Sequence, residues 1–276
     1  MIAAVLLIAV SAGVAVHFRP HLGYIAGEYL GLYTQKLTVA GCPVETQSRT
    51  VESLKSDARV SFDQSLMLVN TEHKLSDDFA PDLKEYKNSG VIMNACMLEA
   101  YSSLSAAVSE KTGQPLYVMS SVRSADEQKK LYSQYPDTAV PTGASEHQTG
   151  LGLDVYTKKF SGEGFIKSDA GQFVNSYSWQ YGFIMRYPSY GKGQTKVKFE
   201  PWHIRYVGQP HAKVIYNNHL TLEKYIDSLE PDEWYSVDGY LVSRQEEGSA
   251  LDMPRSFAEA VISPDNTGYV IITVRQ

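Results

Sequence analysis

Residues 145–154 read SEHQTGLGLD, and this stretch places a histidine and an aspartate on either side of a glycine at which the chain can turn. His147 and Asp154 are seven positions apart, so on one straight strand their side chains would point to opposite faces. A turn at Thr149 and Gly150 re-aims one of them, and glycine makes that turn easy. We therefore predict a turn that leads into a short strand.

A second stretch, EPWH at residues 200–203, adds another imidazole and another carboxylate. Two neutral imidazoles and one carboxylate hold zinc at three points and leave the fourth position to water, which is the pattern of catalytic zinc sites. Zinc acidifies that water, but attack on a carbonyl still needs a base to take the proton. The predicted ligands are His147, Asp154 and His203, and Glu200 is the candidate base. A lone histidine is usually a packed polar residue, so the prediction depends on the whole set.

Other catalytic motifs do not fit the sequence. It contains neither an HExxH helix nor a GxSxG elbow. An SxxK match at residues 189–192 lies in a glycine-rich hairpin, and a KTG at 111–113 precedes it instead of following it. A serine peptidase of the penicillin-binding type is therefore disfavoured.

The surrounding chain mixes helix and strand signals. The pattern predicts a helix over 91–108, a strand over 116–122, a helix capped by Ser124 with Glu127, and a helix over 169–181. After Leu229 the residue pattern becomes typical of β-strands, and Asp238-Gly239 is a hairpin turn signal. We predict an α+β fold: a small mixed or antiparallel sheet with flanking helices, plus a small C-terminal β unit. The predicted parts are a stalk or lead-in over 19–61, a main domain over 62–220 and an accessory unit over 221–276.

Composition excludes several classes of protein. The 276 residues are 43% hydrophobic, which is typical of a globular chain and not of a disordered one. The net charge of −6 disfavours a nucleic-acid binder. Two cysteines, Cys42 and Cys96, are too few for a disulfide scaffold, and whether they pair stays open.

The N-terminal segment indicates export. Residues 1–16 carry no charged side chain, and the first one in the chain is Arg19. That length is short for a spanning helix and matches a signal-peptide core or a minimal anchor, although the usual basic start is absent. A buried core helix is the alternative. We predict a signal or anchor segment over 1–18, and a protein that is membrane-anchored or secreted into the cell envelope.

Four stretches together carry a resemblance to a known family. SVRS at 121–124 followed by Gln128, the 145–154 stretch, YGFIMRYP at 181–188 and EPWHIRYVG at 200–208 resemble the VanY-type D-alanyl-D-alanine carboxypeptidases. These are zinc peptidases of the bacterial cell wall and are related in fold to the hedgehog signalling domain. The resemblance extends over roughly residues 66–219. It implies a hedgehog/D,D-peptidase-like fold.

The resemblance also implies roles for individual residues. His147, Asp154 and His203 would bind zinc, and Glu200 would be the general base. Arg123 would face the substrate carbonyl or the terminal carboxylate, with Gln128, Ser145 and Tyr187 lining the pocket. A structural ion pair is the alternative for Arg123. The chain departs from the family at 121–122, where it has Ser-Val and the family often has Gly-Tyr, which puts fine substrate preference in doubt.

The predicted protein is thus a zinc carboxypeptidase that removes a terminal D-alanine from peptidoglycan stem peptides. An L,D-carboxypeptidase acting on the tetrapeptide stem is one alternative, because the family uses the same site with either stereochemistry. A non-catalytic zinc-bearing wall-binding module is another, although such a module has no need for a carboxylate such as Glu200 beside the ligands. The predicted partners are the stem peptide and, through the N-terminal segment, a membrane.

Overall fold

The structure is a computed structural model that describes residues 20–276, so the predicted signal or anchor segment lies outside the described residues. Between residues 20 and 276 no helix is both long and apolar enough to cross a membrane. Helices and strands are mixed along the chain without a regular alternation, and this confirms the predicted α+β class.

The helices of the described part are α1 (Pro20–Tyr29), α2 (Val51–Lys55), α3 (Leu98–Thr112), α4 (Ala125–Gln134), α5 (Asp169–Tyr177), α6 (Lys192–Thr195), α7 (His211–Asn217) and α8 (Leu222–Asp227). The strands are β1 (Ala40–Gly41), β2 (Thr46–Thr50), β3 (Val60–Phe62), β4 (Leu83–Glu85), β5 (Ile92–Asn94), β6 (Tyr117–Ser120), β7 (Gly152–Tyr156), β8 (Phe183–Met185), β9 (His203–Tyr206), β10 (Trp234–Val237), β11 (Tyr240–Glu246), β12 (Ala250–Pro254), β13 (Glu259–Pro264) and β14 (Tyr269–Arg275). Short 3-10 helices cover Ala95–Met97, Glu146–Gln148, Gly162–Lys167 and Ser178–Tyr181.

An antiparallel sheet in the order β6-β7-β9-β8 forms the centre of the molecule. Leu153 and Val155 of β7 are buried against α3, which contributes Leu104 and Val108 from one helical face. Because successive side chains of a strand alternate in direction, Asp154 lies on the opposite face of β7. The inner strands β7 and β9 therefore present their polar positions away from this core.

The predicted helix over 91–108 begins later than its apolar pattern indicated. Residues Ile92–Asn94 instead form β5, which pairs with β4, and the helix α3 starts at Leu98. The side chain of Asn94 accepts a hydrogen bond from the backbone N–H of Cys96 and caps the intervening 3-10 turn. An asparagine cap thus separates strand from helix within one apolar run.

The predicted ends of α4 and α5 agree with the structure. The Ser124 side chain accepts a bond from the Glu127 N–H, and the Glu127 carboxylate accepts one from the Ser124 N–H, which completes the capping box. Helix α5 continues as a 3-10 turn that ends at Gly182, with φ at 82°. These two helices flank the strands that carry the site.

The C-terminal part of the chain forms a six-stranded sheet in the order β1-β10-β11-β14-β13-β3. The predicted turn at Asp238 and Gly239 joins β10 to β11, and both residues have positive φ, at 52° and 81°. Such a turn matches the right-handed twist of the two strands that it joins. The β-rich character predicted after Leu229 is therefore present as a hairpin within a larger sheet.

Residues 40–62 differ from the irregular lead-in that the sequence indicated. β1 pairs with β10, β2 pairs with β12, and β3 lies parallel to β13. Strands of two to five residues are too short to show a period in the sequence, and their partners lie about 200 positions away. The C-terminal sheet thus takes its two edge strands from the N-terminal part of the chain. The division of the whole chain into separate domains stays a prediction.

The central sheet and the C-terminal sheet share one apolar cluster. Ile184 and Val207 from the centre, Val214 of α7 and Ile226 of α8 pack in the same buried group as Ile271 of β14. Helices α7 and α8 therefore form a seam between the two sheets. Cys42 and Cys96 are free thiols in the structure.

Candidate metal and catalytic site

The 3-10 helix Glu146–Gln148 positions His147. Its Nδ1 lies 2.6 Å from the carbonyl oxygen of Ser121, which can only accept a hydrogen bond. The proton of the neutral imidazole is therefore on Nδ1, and the lone pair is on Nε2. That nitrogen lies 3.4 Å from Asp154 Oδ2, so the free lone pair faces the aspartate.

Strand pairing brings His203 to the other side of Asp154. Gly150 has a φ of +70°, and a Cβ there would lie 2.9 Å from the Asn94 backbone nitrogen, so the predicted turn requires glycine. Asp154 of β7 and His203 of β9 are then direct cross-strand partners, whose side chains share one face. His203 Nδ1 lies 3.0 Å from Asp154 Oδ1.

The three predicted ligands converge at one point. One donor atom from each of His147, Asp154 and His203 lies within 4.8 Å of the other two. Burial raises the pKa of the Asp154 carboxyl, but the neighbouring imidazoles of His147 and His203 outweigh this effect and hold that pKa well below its usual range. Burial lowers the pKa of His203, yet Asp154 and Glu146 raise it to about 9. The carboxylates that stabilise the proton on His203 would also attract a metal cation. Two imidazole nitrogens and one carboxylate are a donor set typical of zinc.

All eight predicted site residues line one cleft of about 240 Å³. The residues that join the three ligands there are Arg123, Gln128, Ser145, Tyr187 and Glu200. The Tyr187 ring lies 5.0 Å from the His203 ring, and its carbonyl accepts a hydrogen bond from the Glu200 N–H. The cleft therefore combines a cation site, a carboxylate, a guanidinium and an aromatic wall.

Glu200 is separate from the group of three converging donors. Its carboxyl is largely buried, and this burial raises its pKa; Asp154 raises it further, whereas His203 and Lys198 oppose the rise. A carboxylate with a raised pKa is a stronger base than an exposed one. The geometry thus suits proton transfer at the edge of the metal site.

Arg123 is held by neutral partners. Its Nη1 donates to Gln128 Oε1 at 2.8 Å, and its Nη2 donates to Ser120 Oγ at 3.2 Å. Gln128 is fixed in turn, because its Nε2 donates to the Val140 carbonyl at 2.6 Å. Among residues 20–276 Arg123 forms no ion pair within 4 Å, which disagrees with the alternative of a structural ion pair.

A buried charge cluster beneath the site was not predicted. Glu146 Oε1 accepts hydrogen bonds from Arg186 Nε at 2.7 Å and Arg205 Nη1 at 2.6 Å, and Arg186 also bonds to Glu223. Arg186 and Arg205 lie in the stretches 181–188 and 200–208, where no neighbouring residue in the sequence indicates a partner for them. Two arginines in short, otherwise apolar strand regions are the signal that could have indicated buried carboxylate partners.

Several further residues that line the cleft were not predicted. They are Leu131 of α4, Tyr135 directly after that helix, Thr138 and Val140 of the following loop, and Val197. These residues carry no motif, and the approach of α4 to the sheet alone brings them to the cleft.

Comparisons with known proteins point to one family. The sequence profile of VanY, described as D-alanyl-D-alanine carboxypeptidase, matches residues 91–209. The bifunctional D-Ala-D-Ala dipeptidase and D-Ala-D-Ala carboxypeptidase VanXYC of Enterococcus gallinarum is 32% identical over 183 residues, which cover 60% of this chain and 95% of that protein.

Two solved structures share the fold over most of their own chains. A D,D-pentapeptidase VanY variant from a VanB-type vancomycin resistance cassette, in complex with Zn(II), is similar with a TM-score of 0.52 and 27% identity, and covers 59% of this chain and 98% of its own. The LD-carboxypeptidase LdcB is similar with a TM-score of 0.54 and 31% identity, and covers 59% of this chain and 86% of its own.

Proposed function

Because this chain belongs to the VanY family of D-alanyl-D-alanine carboxypeptidases, we propose that its cleft removes a C-terminal D-alanine from peptidoglycan stem peptides by zinc-dependent hydrolysis. One observation supports the assignment of residues above all others. A site of three converging donors, the Glu200 carboxyl with its raised pKa and Arg123, which has no ion pair among the described residues 20–276, all line the same cleft.

The metal site fits zinc in number and type of donors. His147, Asp154 and His203 would hold the ion and leave a position open towards the cleft. When bound, zinc polarises a carbonyl and lowers the pKa of water towards ~7. Side chains of the cleft carry out proton transfer and substrate binding.

Glu200 is the general base in this proposal. Its carboxylate takes a proton from the attacking water while the water oxygen forms a bond to the scissile carbonyl carbon. The C–N bond then breaks, and Glu200 returns that proton to the leaving amino group of D-alanine. The burial that raises the Glu200 pKa makes its carboxylate a better proton acceptor for the attacking water.

Arg123 recognises the chain end. A carboxypeptidase distinguishes a terminal residue from an internal one by its free carboxylate, and the planar guanidinium can bind a carboxylate with two hydrogen bonds. Gln128 and Ser120 orient Arg123 without neutralising its charge. Ser145 and Tyr187, on the ligand side of the cleft, would contact the peptide backbone.

We further propose that the enzyme acts outside the cytoplasm and that residues 1–18 direct it there. The supporting observations are the uncharged apolar run of residues 1–16 and the location of the substrate in the cell wall. Membrane attachment is tested by fractionating cells that express a C-terminally tagged chain. Recovery in the membrane or the medium supports the proposal, and recovery with the cytoplasmic proteins contradicts it.

Mass spectrometry of a purified pentapeptide stem tests the activity. Loss of one D-alanine is expected with the native protein, and no loss is expected with Glu200→Gln. A tetrapeptide stem should be included, because the LD-carboxypeptidase LdcB shares the fold at 31% identity. Cleavage of the tetrapeptide alone would replace the D,D assignment by an L,D one. Absence of cleavage by zinc-loaded protein would favour a wall-binding module.

A further inference from the structure

Helix α1 and the turn that follows it carry a cluster of exposed apolar side chains. They lie within residues 22–33 and are Leu22, Tyr29, Leu30, Leu32 and Tyr33. We call these five residues the N-terminal patch. Leu30 and Leu32 are 68% and 69% exposed. Single exposed apolar residues are common on proteins, but a group of large ones indicates an interaction surface.

The polarity of α1 is reversed relative to an ordinary surface helix, which buries its apolar stripe and exposes its charges. The exposed positions of α1 recur at helical spacing and are Leu22, Ala26 and Tyr29. Glu28 Oε2, in contrast, is buried and has no hydrogen bond of good geometry among residues 20–276. Burial raises the pKa of this carboxyl, and the nearby Ser189 opposes the rise. Glu28 is the only Asp, Glu, Lys or Arg among residues 20–35, so the outer surface of this segment is predominantly apolar.

Long-range contacts hold this segment on the body of the protein. The Tyr24 hydroxyl accepts a hydrogen bond from Ser176 Oγ of α5 at 3.2 Å. The backbone N–H of Gln35 donates to Asn217 Oδ1, at the end of α7, at 3.1 Å. The Tyr24 ring also stacks on the Tyr33 ring, with 5.4 Å between the ring centroids. The N-terminal patch therefore has a fixed position on the protein.

The place of the patch in the chain identifies its partner. The uncharged apolar run of residues 1–16 ends four positions before α1 begins, and four residues span at most about 14 Å. Leucine suits the apolar side of a membrane interface, and tyrosine combines an apolar ring with a polar tip that suits the headgroup side. A lipid surface as partner therefore explains both the composition of the patch and its position beside the apolar run.

We propose that the N-terminal patch lies in the interface of a lipid bilayer and holds the protein against the membrane surface in one orientation. The inference rests on the proposed export of the chain through residues 1–18. It adds a second contact with the membrane, made by the folded part of the protein, which fixes the orientation of the cleft relative to the lipid surface.

Apolar burial, and not charge, carries this contact. Residues 20–35 contain no Lys or Arg, the side chains that anionic lipids attract. A neutral lipid such as phosphatidylcholine should therefore be sufficient for the contact, and screening by salt should not weaken it.

Lipid cross-linking of the native full-length protein tests the proposal without any variant. The protein is reconstituted into phosphatidylcholine vesicles in which part of the lipid carries a diazirine near its headgroup, and the cross-links are mapped by mass spectrometry. We expect cross-links over residues 22–33, in equal yield at about 0.1 M and 1 M NaCl. Ile92 and Met119, which are exposed apolar residues elsewhere on the protein, should receive few.

The variant Leu30→Ser/Leu32→Ser tests the patch itself. Both side chains are exposed, so the fold should persist, and hydrolysis of a free peptide checks that it does. We expect the cross-link yield over residues 22–29 to fall about 5-fold or more, because the patch loses its two most exposed leucines. Ile92→Ser/Met119→Ser is the matched control, and it should keep that yield within about 2-fold of the native protein.

The other outcomes each contradict the inference in a different way. Cross-links confined to residues 1–18 would overturn the role of the patch and leave the proposed export intact. No cross-links in the whole chain would overturn the patch and count against membrane attachment as well. A dimer in detergent solution that Leu30→Ser/Leu32→Ser dissociates, without lipid cross-links at the patch, would assign the patch to a second copy of the chain. Hydrolysis of the pentapeptide is measured separately, so failure of the proposed activity is distinguished from failure of the patch.

Discussion

Two buried histidines, eight positions apart, occupy opposite electrostatic surroundings. In the cleft, His203 faces Asp154 and Glu146, and these carboxylates raise its pKa to about 9 although burial acts to lower it. In the seam between the two sheets, His211 lies 2.6 Å from Tyr225 Oη and 2.8 Å from Thr273 Oγ1. Burial lowers the pKa of His211 to about 3.

The comparison shows that burial alone does not decide whether a histidine can bind a cation. Both rings are almost fully buried, at 4% and 2% exposure. Carboxylate neighbours create a site of negative potential at His203, whereas hydroxyl neighbours satisfy both nitrogens of a neutral ring at His211. The cleft is therefore built for metal chemistry, and the seam is built for packing.

The largest expected effect separates these two histidines by function. His203→Ala should reduce zinc content from about one ion per chain to near zero and hydrolysis to the background rate. His211→Gln should keep both, because the seam does not line the cleft. Metal analysis and peptide hydrolysis measure both outcomes, and zinc-independent activity in His203→Ala would contradict the site.

The second prediction distinguishes the proposed base, Glu200, from the proposed metal ligands in the same cleft. Glu200→Gln preserves size and removes the proton acceptor, so the rate should fall about 10²–10⁴-fold while zinc is retained. Metal analysis of the same preparation provides the control. Loss of zinc in this variant would make Glu200 a ligand and leave the base unassigned.

A smaller effect is expected at Arg123, which binds the substrate end in our proposal. Arg123→Lys keeps the charge but loses the planar pair of donors, so KM should rise about 10–100-fold with little change in kcat. Amidation of the substrate C-terminus should remove most of the difference between variant and native protein. A fall in kcat with unchanged KM would show instead that Arg123 stabilises the oxyanion.

The smallest effect concerns stability and tests the seam. His211 is neutral in the folded state below pH 6.5, whereas its unfolded-state ring, with a pKa near 6.5, binds a proton there. Stability contributed by this group is therefore complete above pH 6.5 and is lost as pH falls towards 3, by about 2 kcal/mol at pH 5. Urea unfolding of native protein and His211→Gln between pH 5 and 7.5 measures the difference, and parallel pH profiles would contradict it.

Local sequence signals predict many of the turns and helix ends around the central four-stranded sheet. The capping box at Ser124, the glycine that ends the helix before β8 and the turn at Gly150 each depend on a few neighbouring residues, so the sequence alone predicts them. The ligand set was predicted because two short motifs hold donors of the right type. Strand alternation then explains why Asp154 and His203 can meet.

Tertiary structure decided the features whose partners are distant in sequence. The three strands of residues 40–62 form only by pairing with strands about 200 positions later, and strands so short leave no period to detect. Glu146 lies directly before His147 in the stretch 145–154, yet its arginine partners are 40 and 59 positions away. Residue type alone identified the side chains that could bind a metal. Folding brought their donor atoms together, because Asp154 and His203 are 49 positions apart and become neighbours only when β7 pairs with β9.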